Sequence, residues 1–266
     1  VADAFRAVLM EEQSDPALTA LILSLPTENE IAELFDVIDP QAIAAVRAAL
    51  VHALATELSD ELYAVYLANQ SQEYKVEHAE IGRRALKNVC LSYLAFADAE
   101  QADKLVQAQY HNANNMTDAL AALSAAVAAQ LPCREALLAA YDEKWHQDGL
   151  VMDKWFVLQA TSPADDALSN VRKLLNHRSF TMGNPNRIRS LIGAFASGNP
   201  AAFHAKDGSG YQFLVEMLTD LNTRNPQVAA RMIEPLIRLK RYDAGRQALM
   251  RQALETLKGL DKLSGD

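Results

Sequence analysis

Apolar residues recur every three or four positions along almost the whole chain, which is the spacing of one face of an α-helix. After Pro40 this stripe consists of Ile43, Val46, Leu50, Leu54, Leu58 and Leu62. The spacing returns in residues 81–96, 120–131, 213–221, 228–239 and 249–260, and no alternation typical of β-strands interrupts it. Ala and Leu, with 46 and 36 copies in 266 residues, are also strong helix formers. The sequence therefore predicts a chain built from α-helices.

Proline positions predict where these helices begin. An Asp, Asn or Ser side chain accepts a hydrogen bond from the free N–H groups of a first turn, and proline at the next position has no N–H to leave unpaired. Six prolines follow such a residue, and the predicted caps are Asp15, Asp39, Ser162, Asn184, Asn199 and Asn225. Residues 146–149 predict a helix end, because Gly149 suits the left-handed conformation that closes a helix.

Helices joined by short connections predict an all-α fold. Roughly a dozen helices cannot share one central seam, so we expect an irregular α-solenoid, or superhelix, of antiparallel helices. No low-complexity linker or composition break divides the chain. We therefore expect residues 1–266 to form a single helical domain.

Charge is distributed unevenly along the chain. Residues 1–166 carry 26 acidic and 10 basic side chains, a net of −16, whereas residues 167–266 carry 8 and 15, a net of +7. One interpretation is a solvated surface whose charge varies along the chain. The other is a basic face that meets an acidic partner, another domain or a substrate carboxylate. A net charge of −9 argues against a nucleic-acid partner.

Motifs that would carry catalysis in this chain are missing from the sequence. No two of the six histidines lie three to five residues apart, so no helix presents two imidazoles to a metal ion. The sequence also contains no phosphate-binding loop, nucleophile elbow or dinucleotide fingerprint. We therefore predict neither a catalytic residue nor a metal ligand within these 266 residues.

The two cysteines, Cys90 and Cys133, are too few for a disulfide framework and indicate a reducing compartment, so we expect a cytoplasmic location. No apolar run approaches the roughly 18 residues that cross a bilayer, and we expect no membrane partner. Four aromatic residues at helical spacing are predicted to pack in the core, although one of them at an interface is the alternative. They are Tyr141, Trp145, Trp155 and Phe156.

Residues 207–210, with the sequence DGSG, precede a predicted helix and have two interpretations. A glycine-rich turn before a helix can hold an anion. The same turn needs no ligand if Asp207 or Ser209 caps the helix, and we favour this second interpretation.

Arginines of the last third offer the clearest candidate binding groups. Arg187 and Arg189 lie at the opening of the helix predicted after Pro185. Gln227 and Arg231 are four residues apart and share a helix face, where they can offer amide and guanidinium donors to one acceptor. Such donors suit a peptide terminus or an acidic side chain, whereas salt bridges within the fold are the alternative use.

From about Tyr74 onward, whole segments resemble the C-terminal helical domain of the bacterial zinc aminopeptidase N (alanyl aminopeptidase) family. Residues 1–73 resemble a more variable opening of the same domain. The segments that carry the resemblance are HNANNMTDAL at 111–120, KWH at 144–146, VMDKWF at 151–156, NPNRIRSL at 184–191 and the run 225–243.

The resemblance implies a function for the longer protein. Members of the family hold zinc in a separate catalytic domain through a His-Glu-X-X-His helix, and bind the substrate amine through a Gly-X-Met-Glu-Asn segment. Neither motif occurs here. The C-terminal domain of such enzymes is a superhelix that closes over the catalytic domain and walls an internal chamber. By this resemblance, Arg189, Gln227 and Arg231 are expected to face that chamber and contact peptide.

Two hypotheses follow for the chain. In the first, it is the C-terminal domain of a zinc aminopeptidase that removes N-terminal amino acids from peptides; it is inactive alone, and its partners are the remaining domains and peptide substrates. In the second, it is a free-standing α-solenoid adaptor whose basic part binds acidic proteins. The first predicts a reading frame that continues upstream through a zinc motif, whereas the second predicts a gene product that begins near Val1.

Overall fold

The computed structural model describes residues 1–11 and 15–260. Within these ranges it contains eighteen α-helices, one 3-10 turn and one π-helical turn, and no β-strand. Eleven of the α-helices have eight or more residues, close to the predicted dozen, and seven are shorter. The prediction of an all-α fold is confirmed.

Backbone packing divides the helices into two compact units. Unit 1 comprises Val1–Pro26 and Ala45–Ala140, and unit 2 comprises Thr27–Ala44 and the residues from Tyr141 onward. The unit boundaries fall inside α4 (Pro40–Glu57) and α9 (Arg134–Trp145). The single domain over residues 1–266, with a variable opening at 1–73, stays a prediction. Unit 1 also contains α1 (Ala2–Met10), α2 (Pro16–Ile22), α5 (Ser59–Ala68), α6 (His78–Leu94), α7 (Ala99–Asn112) and α8 (Met116–Ala128).

Unit 2 contains most of the short helices. A π-helical turn (Arg189–Gly193) continues directly from one of them, and a 3-10 turn (Leu239–Arg241) precedes the last helix. Its α-helices, apart from the shared parts of α4 and α9, are α3 (Glu28–Ala32), α10 (Gly149–Ala160), α11 (Ala167–Leu174), α12 (Pro185–Ile188), α13 (Ala194–Gly198), α14 (Pro200–Phe203), α15 (Ser209–Arg224), α16 (Pro226–Met232), α17 (Glu234–Ile237) and α18 (Ala244–Lys258).

All five Asx-Pro pairs open a helix, as predicted. The carboxylate of Asp15 accepts hydrogen bonds from two backbone N–H groups in the first turn of α2, at 3.0 and 3.1 Å. The side chains of Asp39, Asn184, Asn199 and Asn225 accept equivalent bonds at the starts of α4, α12, α14 and α16. Each pair therefore satisfies part of a first turn whose N–H groups have no partner within the helix.

The sixth predicted cap is wrong, as is the burial of two residues in the apolar stripes. Ser162 does not open a helix, because its hydroxyl accepts the N–H of Ala164 at 3.3 Å in a turn and α11 begins only at Ala167. Val46 and Ile81 match the helical period but are 71% and 48% exposed. Periodicity identifies the helix, whereas burial depends on which neighbour packs against each turn.

The predicted role of Gly149 is also wrong. It is the first residue of α10, and the carboxylate of Asp148 caps that helix through the N–H groups of Leu150 and Val151. Close packing explains the glycine instead. A Cβ atom at this position would lie 2.7 Å from Nη2 of Arg187, whose guanidinium donates to the carbonyl of Gly149.

Of the helices in the described residues, none alone is long and apolar enough to cross a membrane. The pair α4 and α5 meets the length and composition requirement jointly, but it bends by 76° at the break between the two helices. Leu54 and Leu62 of this pair, and Leu58 at the break, are at most 2% exposed. Burial in the core of unit 1 accounts for these apolar side chains.

Unit 1 encloses a polar network around the carboxylate of Asp118. Lys87, which is 4% exposed, donates to Asp118 at 2.7 Å, and the amides of Asn88 and Asn115 donate at 2.9 and 3.0 Å. Burial raises the pKa of Asp118, but these three donors outweigh it and hold the pKa of this carboxyl below its ordinary value. The side chain of Gln109 donates to Asn88 and to the backbone carbonyl of Asp118, which leaves the centre of the network satisfied.

Both cysteines are free and buried within unit 1. Burial raises the pKa of the Cys90 thiol to about 12, and it raises the pKa of Cys133 to about 12 with help from the neighbouring carboxylate of Asp103.

Aromatic side chains fill the core of unit 2. Tyr141, Trp155 and Phe156 are buried, as predicted, whereas Trp145 is half-buried and has Nζ of Lys144 5.0 Å from the centre of its ring. A second cluster packs edge to face, which is a favourable arrangement of aromatic quadrupoles. Its members are Phe195, Phe203, Tyr211 and Phe213.

His204 connects this second cluster to α18. Its two ring nitrogens lie 2.8 Å from the hydroxyl of Tyr211 and 2.9 Å from that of Tyr242, and its backbone carbonyl accepts bonds from Arg246 and Gln41. Burial, together with the charge of Arg246, lowers the pKa of His204 to about 3. A neutral imidazole donates through one nitrogen and accepts through the other, so it can satisfy both tyrosines.

Protonation of His204 is therefore expected to link stability to pH. In the unfolded chain this histidine takes up a proton below about pH 6.5, whereas in the folded chain it stays neutral down to about pH 3. The contribution of His204 to the free energy of unfolding should therefore fall by up to about 1.4 kcal/mol per pH unit as the pH drops from 6.5 toward 3.

Urea unfolding of the wild type and of His204→Gln at pH 7, 6 and 5 measures this contribution. The variant should be less stable at pH 7 and should lose less stability on acidification. His78→Gln, at an exposed histidine, is the matched control and should keep the wild-type pH dependence. Equal pH dependence in the wild type and in His204→Gln would contradict the assignment.

Candidate functional site

Most arginines of the last third form ion pairs within unit 2. Ten arginines lie between residues 167 and 260, and seven of them contact a carboxylate. Arg189, Arg231 and Arg251 form neither an ion pair nor a side-chain hydrogen bond with the described residues, and all three are exposed. The paired arginines are Arg172 with Glu216, Arg178 with Asp142, Arg187 with Asp153, Arg224 with Asp220, Arg238 and Arg241 with Glu33, and Arg246 with Asp243.

Arg187 and Arg189 have different environments although they are two residues apart. Arg187 is 5% exposed, and its guanidinium contacts the carboxylate of Asp153 and the carbonyl of Gly149. Arg189 is exposed at the first position of the π-helical turn, directly after α12. A turn of π-helix is uncommon and often occurs at functional sites. Arg187 is thus used by the fold, whereas Arg189 remains available to a ligand.

Gln227 and Arg231 lie one turn apart on α16, as their spacing predicts. Both are exposed, whereas the opposite face of this seven-residue helix is buried through Val228, Ala229 and Met232. Neither polar side chain hydrogen-bonds to the described residues, so the amide and the guanidinium are both free. No hydrogen bond or ion pair joins them to Arg189. The three predicted residues belong to two separate elements of unit 2: Arg189 to the π-helical turn, and Gln227 and Arg231 to α16.

An exposed apolar loop in unit 2 was not predicted from the sequence. Leu34, Phe35 and Val37 lie between α3 and α4 and are 81%, 49% and 60% exposed. The backbone of the loop is held in place, because Arg241 donates to the carbonyl of Phe35 at 2.8 Å and pairs with Glu33 at 3.0 Å. The only local signal is an apolar run just before the Asp39 cap, outside any helical stripe.

The segment 207–210 is ordered by a local hydrogen bond and two glycines. The carboxylate of Asp207 accepts the N–H of Ser209 at 2.9 Å, and this hydrogen bond lowers the pKa of Asp207. Gly208 takes the left-handed conformation, with a φ of 74°. A Cβ atom at Gly210 would overlap the carbonyl oxygen of Phe203, so the second glycine allows α15 to pack closely. The N-cap of α15 is Gly208, so neither Asp207 nor Ser209 occupies the predicted cap position; Asp207 binds the first N–H group of the helix from one residue further upstream.

The comparison with known families covers the whole chain. Residues 1–266 match the family described as "Domain of unknown function (DUF3458_C) ARM repeats". The chain belongs to this family. ARM repeats are stacked helices, in agreement with the predicted α-solenoid.

Curated relatives of this DUF3458_C domain include aminopeptidase N from three bacteria. The protein of Escherichia coli (strain K12) is 73% identical over 266 residues, which cover 100% of this chain and 31% of that protein. The protein of Haemophilus influenzae is 51% identical over 259 residues, or 97% of this chain and 30% of the relative. That of Caulobacter vibrioides is 38% identical over 265 residues, or 99% and 31%.

A solved structure shares the fold of the domain. The crystal structure of Legionella pneumophila aminopeptidase A in complex with aspartic acid matches with a TM-score of 0.86 and 29% identity, covering 96% of this chain and 31% of that one. The DUF3458_C domain spans about a third of the length of these relatives and corresponds to their C-terminal part. The predicted resemblance to the C-terminal domain of aminopeptidase N is confirmed.

Ligands for a metal ion do not converge in the described part of this DUF3458_C domain. Within residues 1–11 and 15–260, no group of three or more His, Cys, Asp and Glu side chains is placed to hold an ion. Of the histidines, His204 has both ring nitrogens in contact with tyrosine hydroxyls. The described residues therefore do not fit the zinc that the family resemblance implies for the longer protein.

The uneven charge of the sequence is largely compensated within unit 2. Residues 167–266 carry a net charge of +7, but unit 2 as a whole contains 19 acidic and 17 basic side chains. Glu33, Asp142 and Asp153, which precede residue 167, pair with arginines that follow it. The candidate site therefore consists of individual unpaired side chains rather than of a broad basic face.

Substitutions at Arg187 and Arg189 should distinguish a side chain that stabilises the fold from one that is free to bind a ligand. Arg187→Ala leaves the carboxylate of Asp153 half-buried without its partner and should lower the free energy of unfolding by about 3 kcal/mol. Arg189→Ala removes an exposed side chain and should change it by less than about 0.5 kcal/mol. Chemical denaturation of both variants measures the difference. Similar losses in the two would contradict the division of roles.

Proposed function

We propose that this chain is the C-terminal segment of a zinc aminopeptidase that removes N-terminal amino acids from peptides, and that it walls the chamber in which the peptide binds. The observation that carries the proposal is the match to aminopeptidase N over the entire chain, at 73% identity for one relative. The residues that hold zinc belong, in this proposal, to the remaining part of the longer protein. A cytoplasmic location is proposed as well, in keeping with two cysteines that are free.

Arg189, Gln227 and Arg231 are the proposed contacts to peptide. Their side chains are exposed and have no hydrogen-bond or ion-pair partner in the described part of unit 2. A guanidinium group binds a carboxylate through two parallel hydrogen bonds, and an amide binds a backbone carbonyl or N–H group. These donors suit the polar backbone and the C-terminal or acidic groups of a short peptide beyond the residue that is removed.

The apolar loop at residues 33–37 is the proposed contact to the remaining domains. Exposed Leu34, Phe35 and Val37 would bury apolar surface when covered, which favours association. The loop is already ordered by Arg241 and Glu33, so docking costs little additional conformational entropy. A rigid apolar surface of this kind is typical of permanent interfaces, which are more hydrophobic than transient ones.

Zinc content and peptidase activity should both require the longer protein. We expect the full-length protein to contain stoichiometric zinc and to hydrolyse an alanine anilide. The 266-residue chain, purified alone, should do neither, because zinc ligands do not converge in the described residues. Zinc content by atomic absorption and release of the anilide measure the two properties. Stoichiometric zinc with turnover in the isolated chain, or a full-length protein without turnover, would refute the proposal.

Arg231→Ala in the full-length enzyme should weaken peptide binding. Loss of one guanidinium contact is expected to raise KM for a tripeptide by about tenfold, or about 1.4 kcal/mol, with a smaller effect on kcat and on thermal stability. Arg251→Ala is the matched control, since Arg251 is also exposed and has no partner among the described residues of unit 2. The role of Arg231 is excluded if its variant keeps wild-type kinetics or if Arg251→Ala has the same effect.

A further inference from the structure

Unit 1 contains a cleft of about 670 Å³ between the starts of two helices. Its walls come from the end of α4, the first turns of α5, the end of α6 and the first turns of α7. None of the residues assigned to peptide or domain contact in unit 2 line it. The volume is in the range of small-molecule and short-peptide sites.

The inner part of the cleft is apolar. Leu94 and Ala102 are buried at its floor, and Leu105 is half-buried beside them. Tyr63 forms a wall: the residue is 46% exposed, and its ring is stacked on that of Tyr66, with 6.3 Å between the ring centroids and 13° between the planes. An exposed aromatic side chain of this kind can receive an aliphatic, aromatic or cationic group.

Two carboxylates line the same cleft. Asp60 is exposed and forms no hydrogen bond or ion pair with the described residues. Asp98 uses Oδ1 to accept the N–H of Gln101 at 2.9 Å, as the cap of α7. The cation among the lining residues, Lys104, has its Nζ 2.6 Å from the carboxylate of Glu100 and is already paired. The cleft therefore has a net negative charge that the described residues do not compensate.

The charges around the cleft disfavour an anion as the occupant, although two helix N-termini meet here. The positive ends of α5 and α7 favour negative charge. However, Asp60 and Glu61 already lie in the first turn of α5, and Asp98 caps α7. Unit 1 as a whole has 15 acidic and 8 basic side chains, which would repel an anion and attract a cation.

We propose that this cleft binds a peptide segment in which a basic side chain lies next to a bulky apolar one. The apolar side chain rests on Leu94 and the ring of Tyr63, and the basic side chain lies between the carboxylates of Asp60 and Asp98. The site is independent of the proposed peptidase function, since it lies in unit 1 and involves none of the residues assigned to substrate.

Capped tripeptides test the site in the full-length protein. The probe is acetyl-Leu-Arg-Phe-amide, and its uncharged and acidic controls carry Gln or Glu in place of Arg. Acetylation removes the free α-amino group on which an aminopeptidase acts, so binding here does not depend on the proposed activity. By calorimetry, we expect the Arg peptide to bind at least about tenfold more tightly than the Gln peptide. Added salt should lower the affinity for the Arg peptide.

Substitutions within the cleft should assign the binding to these residues. Asp60→Asn and Asp98→Asn should each weaken binding of the Arg peptide about fivefold. The Asn at position 98 keeps the cap of α7, because Asn and Asp are equally good N-caps. Tyr63→Ala should weaken binding of the Arg peptide and of the Gln peptide by the same factor. Asp165→Asn removes an exposed carboxylate from unit 2, outside every proposed contact, and should have no effect on binding.

Three results would overturn the proposal: no binding of the Arg peptide, equal binding of the Arg and Gln peptides, or unchanged binding in Asp60→Asn. Hydrolysis of an alanine anilide, measured in the same samples, shows separately whether the peptidase function holds. Full peptidase activity without binding of the Arg peptide would refute only the proposed binding site in the cleft. Binding without peptidase activity would refute only the proposed peptidase function.

Discussion

Every α-helix leaves the N–H groups of its first turn without a partner inside the helix, and this chain meets that constraint many times because its helices are short. The helices α12 and α14 have four residues each. In each of them an Asn side chain accepts one of these N–H groups, and a proline at the first position has no N–H group to satisfy. Elsewhere Asp15, Asp148 and Asp243 serve the same purpose. Such caps matter most in helices of four to seven residues, since nucleation is costly and few internal bonds repay it. The short α13 and α17 have no side-chain cap, and each continues from a preceding helical residue instead.

Local physics explains which features could be predicted from the sequence. A cap acts within three residues and a helical stripe within two turns, so the all-α fold and five of the six helix starts were readable without tertiary information. Arg187 and Arg189 could not be told apart, because the partner of Arg187 is Asp153, 34 residues away. The ordered apolar loop was missed for the same reason: Arg241, which holds it, lies 208 residues from Glu33.

Pairing of arginines also defines what the candidate site consists of. The sequence assigned a net positive charge to the last third, but the fold brings carboxylates from residues 33, 142 and 153 to that part of the chain. A paired guanidinium has used its donors, and a ligand would have to displace a carboxylate to reach it. Arg189, Arg231 and Gln227 carry no such cost, which is why unpaired and exposed side chains, rather than total charge, identify candidate ligand contacts.

Burial of Cys90 and Cys133 has a practical consequence for spectroscopy. Burial keeps both side chains away from reagents and holds the pKa of each thiol well above its ordinary value, whereas the thiolate is the form that reacts with maleimides and disulfide reagents. The native chain is thus nearly inert toward such labels. A cysteine introduced on an exposed turn of either unit would become the dominant attachment point for a spin label or fluorophore, with no need to remove the native thiols first.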